Sequence, residues 1–397
     1  MTQPLKQHLI DPEICIRCHT CEDACPIGAI THNDDNVVVD ADKCEHCLHC
    51  IAPCPTGSID NWRVVTTAYS VQEQLEWLEL PEQQDILATT SDSADTQTEN
   101  ADVIALLAQA QQGAGEMACA PASATRPVQN LFTQSEPLRA RVQGNFRLTE
   151  QGADSDVRHI ILDLSNASFP YLEGQSVGIT PPGTNQNGRP HRLRLYTVSS
   201  PRTGERPDTN NLSLTVKREN HGLCSNYICD LKRDDMVNLT GPFGSSFLIP
   251  NDAQTRLIMV CTGTGSAPFR AFTMQRQREM AAINGSMKLF FGARTPQSLP
   301  YFGPLNKVPG AFLDKHFAFS RVENRPKTYV QDRLRADSSS LAKWLIDRKT
   351  YIYICGLKAM ESGVEAAFFD IMKGADQDWQ AVKTEMLKDG RYHVETY

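Results

Sequence analysis

Eight of the thirteen cysteines stand in two runs of one spacing. Cys15-x2-Cys18-x2-Cys21-x3-Cys25-Pro26 is repeated as Cys44-x2-Cys47-x2-Cys50-x3-Cys54-Pro55. Thiolates this close are soft metal ligands, and three of them two residues apart can take three corners of one iron–sulfur cube. Each fourth cysteine, carried off by three more residues and followed by a φ-restricting proline, reaches the other cube. The expected ligand sets are Cys15, Cys18, Cys21 and Cys54 for one [4Fe–4S] cluster, and Cys44, Cys47, Cys50 and Cys25 for the second. Zinc usually takes paired Cys-x2-Cys knuckles and fits less well. Disulfides need an oxidising compartment, which nothing in the sequence suggests. His19, His46 and His49 read as polar neighbours of the sulfurs, not as ligands.

Other stretches carry groups suited to phosphates and flat rings. Along Arg194-Leu195-Tyr196-Thr197-Val198-Ser199, strand alternation puts Arg194 and Tyr196 on one face, where a cation and an aromatic plane could meet one extended ligand. Taken alone, the same pattern describes a surface Arg beside a half-buried Tyr. Gly222-Leu223-Cys224-Ser225-Asn226 offers a Gly, a hydroxyl and a helix start, suited to a pyrophosphate or to an ordinary helix cap. Cys261-Thr262-Gly263-Thr264-Gly265-Ser266-Ala267-Pro268 follows an apolar strand, and its two glycines let backbone amides approach a phosphate. Pro268 stands where a third Gly would complete G-x-G-x-x-G, so the dinucleotide fingerprint is not met in full.

The elements that must position these groups follow from composition and periodicity. A length of 397 residues allows two or three domains, and a net charge of -8 argues against nucleic acid as the main partner. The opening residues carry no apolar core of a signal peptide, and no apolar run of about 18 residues suggests a spanning helix. With the other five cysteines odd in number and scattered, the expectation is a cytoplasmic protein with no membrane partner. The cysteine-rich unit is expected over residues 1–65. Residues 66–130 read as a partly flexible linker, with a short amphipathic helix from Tyr69 to Leu80 and another helix at Val103 to Ala110. As free coil this linker would reach roughly 45 Å. Short β-rich runs between 131 and 250 suggest an antiparallel barrel. Apolar runs at Leu257–Val260, Lys288–Phe291 and Tyr351–Ile354, separated by helical stretches, make 251–397 an α/β nucleotide-binding pattern.

The cysteine runs resemble those of bacterial two-cluster ferredoxins, and the three phosphate-suited sites, in their order, resemble the plant-type ferredoxin–NADP reductase family. The second resemblance covers about Leu138 to Tyr397. The fold class implied is multidomain: an α+β two-cluster ferredoxin, an antiparallel β-barrel FAD domain and an α/β parallel-sheet NADP-binding domain. It further implies that Arg194 grips the FAD pyrophosphate, Tyr196 stacks on the isoalloxazine and Thr197 lies near its reactive edge, with Gly222, Cys224 and Ser225 as the second flavin motif. Thr262, Gly263 and Gly265 would form the nucleotide phosphate loop. Ser320, Arg321, Lys327 and Tyr329 would bind the 2′-phosphate and adenine. Cys355, Glu395 and Tyr397 would lie at the reacting rings, Tyr397 covering the flavin. Arg294, and Tyr392 before His393, depart from the typical chloroplast pattern.

Taken whole, the arrangement resembles the reductase components of benzoyl-CoA 2,3-epoxidase (benzoyl-CoA oxygenase) systems. That resemblance implies NADPH as donor, FAD, two [4Fe–4S] clusters and a separate di-iron oxygenase component as partner, and leaves room for a homodimer. The alternative is a ferredoxin–NADP reductase whose fused ferredoxin serves another acceptor or donor.

Overall fold

The N-terminal strands are short and pair two by two. The computed structural model describes residues 5–47, 49–51, 53–59, 61–81, 94–117, 119–185, 188–207, 209–279 and 286–397. By contact density the chain divides into two compact units: Met1–Asp92 with Asn166–Pro170, and Ser93–Ser165 with Tyr171–Tyr397. In the first, β1 (Leu5–Leu9), α1 (Thr20–Asp23), β2 (Ile30–His32), β3 (Val37–Val39) and β4 (Asn61–Val65) follow in order. β1 runs antiparallel to β4, and β2 to β3. Their core is small, with Ile10, Ile30, Val37, Val39 and Ile59 packed together with Cys21 and Cys50.

Residues 66–81, expected to begin a linker, are instead bound to this unit. Gln7 Nε2 donates to the Tyr69 carbonyl at 2.8 Å, and Gln7 Oε1 accepts from the Tyr69 amide at 2.7 Å. Asn36 Nδ2 donates to the carbonyls of Leu75 (3.2 Å) and Trp77 (2.7 Å). The helix expected from Tyr69 to Leu80 therefore shortens to α2 (Val71–Gln74), and Leu78, expected on its apolar face, is 90% exposed. The carbonyls that would continue the helix are taken by Asn36. Residues 82–93 of the expected linker lie outside the described residues. From Ala94 the stretch is ordered: α3 (Ala94–Ala110), which contains the helix expected at Val103 to Ala110, and a 3-10 turn (Gln112–Met117) follow. Val103, Leu106 and Leu107 pack on Leu193, Leu195 and Phe243, and Ala114 enters the second unit's core.

The barrel of that unit comprises β5 (Leu138–Arg147), β6 (Val157–Asp163), β7 (Ser176–Ile179), β8 (Arg194–Thr197), β9 (Asn211–Lys217), α4 (Leu223–Asp230) and β10 (Met236–Phe243). The strands run β8-β7-β10-β5-β6-β9, every pair antiparallel. A bridge between Val198 and Leu214 joins the two ends of this row, closing the sheet on itself. Full closure removes the open edges that a flat sheet would leave.

The remaining elements are β11 (Arg256–Thr262), α5 (Ser266–Glu279), β12 (Met287–Ala293), α6 (Phe302–Lys307), β13 (Asp314–Phe319), α7 (Val330–Ala336), α8 (Ser338–Leu345), β14 (Thr350–Gly356), α9 (Glu361–Gly374), α10 (Trp379–Lys388) and β15 (Tyr392–Thr396). The sheet is fully parallel in the order β13-β12-β11-β14-β15. Its central strands are buried on both faces, as their unbroken apolar runs require. The row grows outward in opposite directions from β11 and β14, so a crevice opens at their carboxyl ends, where such sheets bind ligands. The multidomain fold class expected from the sequence holds.

A buried polar network ties the barrel to the α/β layer. His159 Nδ1 and Thr215 Oγ1 reach the Tyr301 hydroxyl at 2.8 and 2.6 Å, and Arg270 Nη1 donates to Glu205 Oε2 (3.0 Å) and to the Ser199 carbonyl (2.8 Å). Burial alone would push the Glu205 carboxyl up, but His159 and Arg270 outweigh it and hold the group well below the usual carboxylate range.

Candidate flavin, nucleotide and iron–sulfur site

The two cysteine runs fold alike. Arg17 and His46, each just before the second cysteine of its run, are both left-handed (φ 55° and 54°), and so are Gly28 and Gly57, each three residues after a fourth cysteine (φ 61° and 70°). Matched left-handed positions curl each run around its own sulfurs, the backbone signature of an internal repeat.

Hydrogen-bond donors point at those sulfurs. Thr20 Oγ1 donates to Cys18 Sγ at 3.1 Å and the Ala29 amide to Cys25 Sγ at 3.2 Å, while Ser58 Oγ lies 3.4 Å from Cys54 Sγ. The Thr20 hydroxyl draws the Cys18 thiol down. Burial opposes the same effect at Cys54, but Ser58, with Thr56 and the Ile59 amide, lowers that thiol to about 7. Burial dominates at Cys21 and Cys50, pushed up to about 11 and about 12. After burial and the local amides, the charges felt by Cys21 are those of Cys15 and Cys54, and those felt by Cys44 include Cys25 and Cys47. The charge of Cys54 is thus felt across the repeat by Cys18 and Cys21, and that of Cys25 by Cys44. All eight are free thiols, so the donor set suits a soft metal cluster, which would keep them deprotonated.

In the barrel, β8 carries Arg194, Tyr196 and Thr197. Leu195, on the face opposite Arg194 and Tyr196, packs with α3. Arg194 Nη1 donates to the Leu193 carbonyl at 3.0 Å, and among the described residues the guanidinium has no carboxylate partner, which suits a phosphate. Burial pushes the Tyr196 hydroxyl up, and Cys224, at the start of α4, stands beside it. Gly222 caps α4 with its backbone extended, and a Cβ there would lie 2.5 Å from Ser225 Oγ. These residues fit a flavin and its pyrophosphate: an unpaired cation, a half-buried ring and a helix start kept clear by glycine.

The second half of the site lies where β11 and β14 end. Thr262 leads into the turn Gly263–Gly265 and then α5. Gly263 is left-handed (φ 56°), and a Cβ there would meet nothing within 4 Å, leaving room for a phosphate. Gly265 is the opposite case, because its Cβ would fall 2.2 Å from the Cys355 carbonyl oxygen. Thr262 Oγ1 accepts from the Leu357 amide at 3.1 Å, fastening the two strand ends together. Cys355 is buried and in register with Glu395 across the β14–β15 ladder.

The terminal residue is fastened. The Tyr397 amide donates to the Gly356 carbonyl (3.0 Å), its own carbonyl accepts from Lys358 (3.1 Å), and its hydroxyl hydrogen-bonds Thr264 Oγ1. The ring reaches across to the nucleotide loop.

Ser320 and Arg321 follow β13, while Lys327 and Tyr329 precede α7. The amides of Ser320 and Arg321 donate to the carbonyls of Ala293 (3.1 Å) and Arg294 (2.7 Å). Arg294 and Arg321 both approach one carboxylate, Asp154, at 3.2 and 3.5 Å. Sequence reading noted Arg294 only as atypical and passed over Asp154. Thr264, inside the expected nucleotide loop, carries no sequence signal for its contact with Tyr397. Gln111, whose Nε2 donates to Glu395 Oε1 at 2.9 Å, carries no signal in the sequence.

Known proteins agree with this geometry. Family models match as a 4Fe-4S dicluster domain at residues 7–71, an oxidoreductase FAD-binding domain at 147–247 and an oxidoreductase NAD-binding domain at 259–366. The class is therefore a flavin- and nicotinamide-nucleotide-dependent oxidoreductase with an iron–sulfur domain fused ahead of it. The chain is 38% identical over 286 residues to the cyanelle ferredoxin–NADP reductase of Cyanophora paradoxa, covering 68% of this chain and 78% of that protein. It is 37% identical to the ferredoxin–NADP reductase of Spirulina sp, of which it covers 98%. Among solved structures, the ferredoxin–NADP+ reductase of Plasmodium falciparum superposes with a TM-score of 0.54 at 29% identity, covering 68% of this chain and 99% of that one. The chain belongs to the ferredoxin–NADP reductase family, and binds NADP(H) in its α/β domain. Among the described residues no helix is long and apolar enough to cross a membrane.

Proposed function

We propose that this chain is the NADPH-oxidising reductase component of a benzoyl-CoA 2,3-epoxidase system, delivering single electrons to a separate di-iron oxygenase. The observation that carries the reading is the fusion of a 4Fe-4S dicluster domain to a reductase of this family. FAD supplies a carrier that accepts a hydride and releases electrons one at a time, and the clusters supply one-electron stores. Two clusters are assigned, one on Cys15, Cys18, Cys21 and Cys54, the other on Cys44, Cys47, Cys50 and Cys25. Arg194, Gly222, Cys224 and Ser225 hold the flavin phosphates, with Tyr196 against the ring and Thr197 at its edge. Thr262, Gly263 and Gly265 hold the nucleotide pyrophosphate. Tyr397 shields the site from water until nicotinamide takes its place, while Cys355 and Glu395 line the reacting side. The location is the cytoplasm, and the assembly is a monomer or homodimer.

Ser320, Arg321, Lys327 and Tyr329 receive the 2′-phosphate and adenine, with the bound phosphate displacing Asp154 from Arg321. Arg321→Ala should weaken NADPH binding by roughly 1–3 kcal/mol, the loss of one charge-assisted hydrogen bond, and leave NADH almost untouched. Dissociation constants for both nucleotides check this, and equal losses would remove the assignment.

The names of the relatives favour a second reading, a ferredoxin–NADP reductase whose fused domain serves another donor or acceptor. Purified candidate oxygenases decide between them. Benzoyl-CoA-dependent consumption of NADPH and O2 with a di-iron oxygenase supports the first, and no stimulation by any such oxygenase favours the second.

A further inference from the structure

The edge of the parallel sheet is where an unassigned residue meets the site. β15 is the last strand of its row, and the 3-10 turn after α3 packs against it. Gly113 fits so closely that a Cβ would lie 2.8 Å from Val394 Cγ1 and 2.9 Å from Glu361 Oε2. Lys358 Nζ donates to Gln112 Oε1 at 2.5 Å, and Ala114 is buried in the core below. Gln111, whose backbone amide donates to the Leu107 carbonyl at 2.9 Å, is thus held between α3 and this turn. Its side-chain amide donates at 2.9 Å to the carboxylate of Glu395, which is only 7% exposed.

Glu395 has no cation to balance it among the described residues. From β14 it faces the Cys355 thiol, itself pushed well up by burial with Glu395 adding to the effect. On the adjoining turn and on α9, Lys358 is engaged with Gln112 and Glu361 with the Thr396 hydroxyl. From α10, Lys383 pairs with Glu365 and Glu385 with Arg391, near the start of β15. Burial thus pushes the Glu395 carboxyl up to about 7, and the Gln111 amide is the group that pulls it down.

We propose that Gln111 is a positioning residue of the reductase site: it lies outside both nucleotide-binding domains in sequence, and orients the Glu395 carboxylate beside Cys355. The inference rests on the reading of Glu395 as a site carboxylate. It makes the segment before the barrel a working part of the reductase, beyond a connection between domains.

The test uses the full-length holoprotein and the pH profile of NADPH-driven dye reduction, with Glu395→Gln identifying the limb that Glu395 governs. Gln111→Leu keeps the volume and removes the donor, so the midpoint should move up by about one unit, with flavin content and the KM for NADPH unchanged. Gln111→Lys places a cation against the carboxylate and should move the same midpoint down. A merely structural role cannot give opposite shifts from the two substitutions. Midpoints equal to wild type in both, with the limb still lost in Glu395→Gln, overturn the role of Gln111 alone. An unchanged rate and profile in Glu395→Gln overturns the underlying site reading, and this inference with it.

Discussion

Gly265→Ala is expected to cost about a hundredfold in kcat/KM for NADPH, because the reacting groups at the strand ends lose their alignment. The added methyl would stand 2.2 Å from the Cys355 carbonyl oxygen and 2.5 Å from its carbon, both backbone atoms that cannot rotate aside. Either the nucleotide loop lifts or the end of β14 shifts. The first spoils the phosphate cradle, and the second moves Cys355 and, through the ladder, Glu395. Overpacking of this kind should also destabilise the fold by roughly 1–3 kcal/mol. Gly303→Ala is the internal control: it sits on α6 with nothing within 4 Å of the added atom, so it should be neutral or slightly stabilising. Steady-state kinetics and thermal midpoints of the two variants, side by side, check the contrast. Wild-type behaviour from Gly265→Ala would mean that the strand ends are not packed as described.

Cys54→Ala should abolish the cluster of the other cysteine run. Iron would fall from about eight atoms per chain to about four, and transfer to an iron–sulfur-dependent acceptor would be lost. NADPH-to-dye turnover should persist, since its groups lie in the other unit. The crossed ligand sets expected from the spacing specify which sulfurs are released: those of Cys15, Cys18 and Cys21. Alkylation of the anaerobic variant followed by mass spectrometry should label Cys15, Cys18 and Cys21 and leave Cys44, Cys47 and Cys50 protected. The reverse pattern would contradict the crossed ligand sets.

What could be read from the sequence was whatever is encoded locally. The cysteine runs repeat a spacing, the barrel strands alternate, and β11 and β14 are apolar through their centres, as is β12 beyond Lys288, because helices cover both their faces. β13 and β15 escaped, being edge strands with charged or imidazole side chains: Asp314-Lys315-His316 in one, His393 and Glu395 in the other. Apart from the helix at Val103 to Ala110, the stretch from 94 to 117 reads as linker because its composition is rich in Ala, Gln and Thr and lacks aromatic residues. Its burial depends on Leu193, Leu195, Phe243 and β15, none of which is near in sequence. Gln111 and Glu395 are 284 residues apart, and only the fold brings them together. Arg194, Tyr196 and the glycine loop were recognisable by motif, but Asp154 between Arg294 and Arg321 was not, since a carboxylate in a surface turn has no distinguishing pattern.

The central claim is that NADPH reduces this protein at a bound flavin and that the electrons then reach the iron–sulfur domain. Anaerobic titration of the purified holoprotein with NADPH, followed by visible absorption and electron paramagnetic resonance, tests it most directly. The account predicts bound flavin that bleaches, together with a reduced-cluster signal that disappears from a Cys18→Ala, Cys47→Ala double variant while the bleaching remains. A protein that carries its iron but no flavin, or whose flavin NADPH cannot bleach, would contradict it.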